Sequence, residues 1–293
     1  MIHSLQHTPY AKFISTTHVE NRLREIFDEN PLFWKEKVPD WNEEGWQKKL
    51  KEQKHLDLSI KTENGPKCVL KRIEELAYLL DSCPSLNSLS LKGCKNIFFL
   101  RLVSNKNPKL IHLNLSSSIL PKCEGGLLDR FSKLKYLDIS DSQLDDEWLP
   151  CIYSLKNLEQ LNLSNNQFTD KGLPDLLGRL HKLKSLNLSS CNAVTHRALK
   201  PLLFSKSIRS LNIQDCAVTK EINKTIRLLR RFNNLESLII GSASIKLEKS
   251  SKSKSVLFKL KRFVRKNSLE SQCLKFPHLQ KLFVNGKVIV IKK

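Results

Sequence analysis

The sequence predicts an α/β solenoid, with parallel strands lining a concave face and helices on the convex one. Three observations carry that expectation. The first is a pattern, L-x-x-L-x-L, that begins at Leu86, Leu110, Leu134, Leu158, Leu183, Ile208, Leu235 and Leu279, at intervals of 24, 24, 24, 25, 25, 27 and 44 residues. Its alternating part (Leu89 and Leu91, Leu113 and Leu115, Leu137 and Ile139) is that of a short strand with one buried face. The second is a small or hydrogen-bonding residue three places past the last apolar position: Cys94, Ser118, Ser142, Asn166, Cys191, Cys216 and Ala243. There the chain leaves the strand through a tight buried loop whose backbone groups need partners, and Asn, Ser or Cys can supply them. The third is a set of helix signals between strands. Thr169–Leu177 reads as a loop and helix start, and Thr195 and Thr219 read as N-caps of similar segments. One coil cannot bury its own leucines, so neighbouring coils must stack and share a core.

On these residues the segment 84–288 resembles the leucine-rich-repeat family. The Cys-x-x-[Ile/Val] steps, Cys94 to Ile97 and Cys191 to Val194, resemble its cysteine-containing and ribonuclease-inhibitor-like subtypes. The Lys- and Asn-rich composition is similar to that of leucine-rich-repeat effectors of intracellular bacteria such as Legionella. The resemblance implies a binding scaffold, and in the inhibitor-like and effector groups one that restrains a partner protein. Fold alone does not name the partner.

An open solenoid needs covered ends. Residues 1–83 are expected as a helical N-terminal cap, with helices over Glu20–Phe33 and Lys67–Leu80 and with Trp34, Trp41 and Trp46 nearby. A docking module is the alternative for residues 10–50, because Pro31-Leu32-Phe33-Trp34-Lys35 resembles the end of an F-box; the chain would then be a ubiquitin-ligase adaptor. Residues 84–245 hold the repeats, and 246–272 form a basic insertion with Val256, Leu257, Leu260, Phe263 and Val264 on one helical face. Residues 273–293 hold the last repeat and a capping hairpin, signalled by Asn285-Gly286 between alternating apolar residues.

The net charge of +21 favours an anionic contact without saying which. Eight cysteines lack any C-x-x-C pair, which argues against zinc. Three of them share one repeat position, so buried thiols in a reducing cytosol are expected rather than disulfides. No apolar run reaches the roughly 18 residues of a membrane span. Met1–Pro9 carries no secretory signal pattern, so any delivery from a bacterium into a host cell would proceed without one.

Function is expected on the concave face. Its outward columns hold His112, Tyr136 and Gln160 beside Asn114, Asp138, Asn162, Asn187 and Asn212. With Trp148 and Arg209 as further anchors, these ten residues are the candidate partner-binding set. The columns are polar and carry few cations, so a folded protein is the expected partner and nucleic acid is not. Peripheral contact with an anionic membrane, or nucleic-acid binding, is the alternative through the basic insertion. No phosphate loop, dinucleotide fingerprint, metal pair or nucleophile elbow is present, and neither an enzyme nor a cofactor is expected. Cys191 lies close to His196 in sequence, but it occupies an inward position.

Overall fold

A computed structural model describes residues 22, 43–96, 98–123, 126–217, 222–229, 231–240, 281–284 and 287–290. The helix expected over 20–33, apart from Arg22, the insertion 246–272, and the positions of Thr219, Ala243 and Cys273 fall outside these residues.

The fold is an α/β leucine-rich-repeat solenoid. Its spine is one ten-stranded sheet. The first strand is β1 (His55–Asp57). A short antiparallel hairpin follows, β2 (Ser59–Thr62) and β3 (Gly65–Cys68). Then come the repeat strands β4 (Ser88–Ser90), β5 (His112–Asn114), β6 (Tyr136–Asp138), β7 (Gln160–Asn162), β8 (Ser185–Asn187), β9 (Ser210–Asn212) and β10 (Ser237–Ile240). These pair in parallel, repeat by repeat, with the middle leucine of each strand opposite that of the next: Leu89, Leu113, Leu137, Leu161, Leu186, Leu211 and Leu238. Two strands end the sheet, β11 (Lys281–Val284) and β12 (Lys287–Val290). They are antiparallel, and Val284 lies opposite Lys287, as a two-residue connection at Asn285-Gly286 requires. The expected hairpin is therefore present, with its turn residues outside the described set.

All three apolar positions are buried in the seven repeats from Leu86 to Ile240, and they join one continuous core with Phe99, Phe131 and Phe168 from the convex side. Removing a leucine side chain of this kind from water is worth about 2 kcal/mol, and the gain is shared between neighbouring coils. The convex segments are shorter than full helices. Phe98–Lys106 and Leu173–Arg179 are α-helical, whereas Asp146–Ile152 and Lys200–Phe204 are 3-10. Pro150 explains the first 3-10 run, because it removes a backbone donor inside the segment.

Thr195 opens a turn and does not cap the helical segment, which begins at Lys200 after Leu199: its hydroxyl accepts from the Arg197 N–H and also donates to Asp170 of the preceding coil. Thr169 repeats this geometry with Lys171 and Asp146.

Three further expectations are corrected. The helix expected from Lys67 begins at Ile73, because residues 65–68 form β3. The region expected to be helical also contains β1, which extends the sheet by one coil before the first recognisable repeat. The third concerns the cysteines. Cys94, Cys191 and Cys216 are buried free thiols, but Cys123 and Cys151 are joined in a disulfide. Between β5 and β6 no helix occurs among the described residues, so this coil has little regular structure on its convex side. The disulfide ties that side to the next coil across 28 residues. Chain-entropy arguments value such a closure at up to about 3.5 kcal/mol. Reduction should therefore lower the thermal midpoint of the wild type and leave Cys123→Ser unmoved; equal midpoints for oxidised wild type and Cys123→Ser would refute a stabilising role.

Candidate functional site: the concave face

Each repeat strand turns two side chains outward around its buried middle leucine. The leading column reads Ser88, His112, Tyr136, Gln160, Ser185, Ser210 and Ser237. The trailing column reads Ser90, Asn114, Asp138, Asn162, Asn187, Asn212 and Ile239. Parallel pairing in register sets neighbours in each column about 4.8 Å apart. The face is therefore a continuous polar surface.

The trailing column has a local task. The side-chain oxygen of Asn114 accepts from the backbone N–H of Ser116, two residues on, at 2.9 Å. Asp138, Asn162, Asn187 and Asn212 make the same bond to Ser140, Ser164, Ser189 and Gln214. These Asx turns satisfy the N–H groups exposed where each strand ends. Short polar side chains are required there whether or not a partner binds.

Asp138 goes further. One of its oxygens accepts from both the backbone and the hydroxyl of Ser140; the other accepts from Tyr136 Oη at 3.3 Å and Asn162 Nδ2 at 3.0 Å. It is buried and fully engaged. Its role is to position Tyr136 and Asn162, not to meet a ligand directly. Burial and then the Asp138 carboxylate push the Tyr136 hydroxyl up to about 12. Tyr136 consequently stays protonated, its hydrogen directed to Asp138 and its oxygen left as an acceptor.

His112 and Gln160 flank this centre, and both are exposed. The His112 and Tyr136 rings lie 5.8 Å apart, tilted by 31°. Together they make an aromatic and hydrogen-bonding platform in the middle of the sheet. Ser140 and Ser164 belong with it through Asp138 and Asn162. They were legible only as the serines that follow the third apolar position.

Two of the expected anchors lie elsewhere. Trp148 is 4% exposed inside the segment Asp146–Ile152, and its indole N–H donates to the Pro121 carbonyl at 3.0 Å. A buried, satisfied indole is not available to a partner, so Trp148 leaves the candidate set. Arg209 stands one residue before the leading column. It bonds to the Lys206 carbonyl and pairs with Glu236 at 3.3 Å. It belongs to the flank where the chain enters the strands.

Cys191 is fully buried, and its thiol donates to the Leu163 carbonyl. Burial pushes it up to about 11, and Cys216 to about 12. Neither presents a thiolate to solvent. Among the described residues no group of three or more His, Cys, Asp or Glu is placed to hold a metal, and no helix is long and apolar enough to cross a membrane.

Residues 154–176 and 179–203 match the family model described as leucine-rich repeat. A stretch of 120 residues, 38% of this chain, is 32% identical to the Protein NLRC5 of Ictalurus punctatus. The chain spans only 7% of the length of that relative. Among solved structures, an internalin C2 from Listeria monocytogenes aligns over 68% of this chain and 77% of its own, at 22% identity and a TM-score of 0.48.

Proposed function

We propose that the chain is a non-catalytic scaffold that binds a folded partner protein on its concave face, centred on His112, Tyr136 and Gln160. The observation that supports this most is the platform itself. The Tyr136 ring is held by a fixed network, Tyr136–Asp138–Asn162, with the His112 ring beside it and the exposed Gln160 amide on the next strand. Pre-set aromatic side chains with little rotamer freedom to lose make good interface anchors. The surrounding serines and asparagines form a rim that can hydrogen-bond to a polar protein surface. The repeat-protein groups that the sequence resembles, inhibitor-like proteins and bacterial effectors, extend the proposal: the bound partner is an enzyme or another effector, and binding restrains it.

The decisive variants follow from the geometry. Asp138 and Asn162 hold strand ends, so replacing them confuses binding with folding. His112→Ala, Tyr136→Ala and Gln160→Ala in one chain remove the platform and leave every Asx turn in place. With a partner purified by affinity capture, the dissociation constant should rise about 100-fold, the equivalent of roughly 2.7 kcal/mol. Calorimetry on the wild type and the triple variant measures this. An unchanged constant in a variant with native circular dichroism would move the site off the concave face.

A further inference from the structure

The connectors that lead into the strands form a second surface with a different chemistry. Six of them, residues 106–111, 130–135, 154–159, 179–184, 204–209 and 231–236, occupy equivalent places in successive coils. Every one carries at least one Lys or Arg, against two carboxylates in the whole set, Glu159 and Glu236. Lys133, Lys156, Lys182 and Lys206 are exposed. Both carboxylates are already engaged, Glu159 by Lys135 and Lys184 and Glu236 by Arg209. Lys106 and Arg179 pair with Asp81 and Asp175, which lie just outside the connectors, and the remaining cations of the flank, Lys133, Lys156, Lys182 and Lys206 among them, pair with no carboxylate among the described residues. On the opposite flank, where the chain leaves the strands, Asp141, Asp145, Asp146, Glu147, Asp170 and Asp215 are nearly balanced by Lys92, Lys95, Lys122, Lys171 and Arg197. The excess of positive charge therefore lies on the connector flank.

Hydrogen bonds from coil to coil make the basic flank a fixed ribbon. Asn157 Nδ2 donates to the Ser132 carbonyl at 2.7 Å and Lys182 Nζ to Asn157 Oδ1 at 2.6 Å. Ser207 Oγ donates to the His181 carbonyl at 2.8 Å and Asn234 Nδ2 to the Lys206 carbonyl at 2.9 Å. Strand spacing sets successive connectors about 4.8 Å apart, so the six span roughly 25 Å along one edge.

One member of the ribbon breaks the pattern. Four residues before each first apolar position stand Lys106, Arg130, Ser154, Arg179, Phe204 and Arg231. Phe204 takes a place filled by a cation in four of the six coils, and it is 88% exposed. Lys200 and Lys206 lie on either side of it in sequence and are exposed as well.

We infer that this flank is a docking surface for an anionic phospholipid membrane, with the lysine ribbon held over the headgroups and Phe204 entering the bilayer interface. Lysines near an acidic leaflet add their attractions, and an aromatic side chain surrounded by cations gains by leaving water for the interface. A nucleic-acid strand would also meet the cations, but the ribbon offers it no row of aromatic rings on which to stack bases. The membrane surface lies beside the concave face, so it is separate from the protein-binding proposal.

The test is sedimentation of the full chain with vesicles of phosphatidylcholine alone or with about 30% phosphatidylserine, at about 0.1 M salt. The expected result is binding to the acidic vesicles only. Reversal of Lys133, Lys156, Lys182 and Lys206 to Glu should weaken it about 100-fold, and Phe204→Ser about tenfold. Reversal of Lys95, Lys122, Lys171 and Arg197, which stand outside the ribbon, changes net charge equally and should weaken binding far less. Equal losses from the two reversals, or no acidic-vesicle binding, would overturn the assignment. So would tighter binding to a labelled single-stranded DNA that Phe204→Ser leaves untouched. Circular dichroism of each variant separates these outcomes from loss of fold.

Discussion

Replacing Asn166 by alanine should cost about 4 kcal/mol or more, enough to unfold much of a solenoid whose total stability is of the order of 5–15 kcal/mol. Asn166 is 5% exposed. Its amide nitrogen donates to the carbonyls of Ile139, Leu163 and Ser164, at 2.9, 3.0 and 3.2 Å. Its oxygen accepts from the backbone N–H of Leu144 at 2.9 Å and of Ser142 at 3.2 Å. Alanine would leave three backbone groups of the preceding coil without a partner, the Ile139 carbonyl and the Ser142 and Leu144 N–H groups, whereas the Leu163 and Ser164 carbonyls keep the Cys191 thiol and the Asp141 N–H. The same place in other coils is filled by smaller donors: Ser118 Oγ donates to Leu91, Ser142 Oγ to Ser140, and the Cys191 and Cys216 thiols to Leu163 and Leu188. Asn166→Ser keeps a donor and an acceptor and should therefore cost only about 1–2 kcal/mol. Urea unfolding of the two variants measures the difference. Equal losses would mean that Asn166 acts by filling space and not by bonding to the loop.

The spacing of the leucines makes most of this fold legible, because burial at three fixed places in each coil leaves only stacked coils as a solution. The loop position was legible for the same reason: few side chains can serve buried carbonyls and N–H groups from inside a tight turn. The convex side was harder to read. A 24-residue coil has too little chain for a long helix, and Pro150 and the disulfide at Cys123 act locally without altering the repeat. The first coil was hidden because Gln53 stands where its first leucine would be, ahead of Leu56 and Leu58. Val69 and Leu70 share an apolar spacing with Ile73 and Leu76, which extends the apparent helix back over β3. For the candidate site, the columns could be counted in sequence, but not the allocation of their hydrogen bonds. An Asn that holds a strand end and an Asn that awaits a ligand look alike until the distance to the N–H two residues on is known. Trp148 shows the same ambiguity, since an acidic loop before a tryptophan suits a surface anchor and a buried plug equally well.

Gly93→Ala should be about as damaging as the loss of Asn166, for a reason peculiar to the first coils. At the position just before the buried loop residue, the next five repeats adopt a left-handed backbone with a non-glycine residue: Ser117, Asp141, Asn165, Ser190 and Asp215, with φ from 54° to 59°. Gly93 is left-handed too, at φ 72°, yet here the conformation is not what demands glycine. The β2–β3 hairpin lies against it. A Cβ at Gly93 would stand 2.2 Å from the Pro66 carbonyl oxygen and 2.8 Å from Lys67 Cα, both backbone atoms. The hairpin must move to admit it, although Cys68 donates to the Gly93 carbonyl and Val69 to that of Leu58. Gly126 provides the internal control. Its φ is 86°, and a Cβ there would meet only the Asp129 carboxylate, at 3.5 Å. Gly126→Ala should therefore cost the left-handed penalty alone, about 1 kcal/mol, and Gly93→Ala about 3 kcal/mol more. The excess should also be local. Amide exchange at Cys68 and Val69 should accelerate before that of β7 and β8, because the hairpin detaches while the central coils stay stacked. If the two glycine variants lose equal stability, the hairpin does not rest on Gly93, and the first coil is not closed as described.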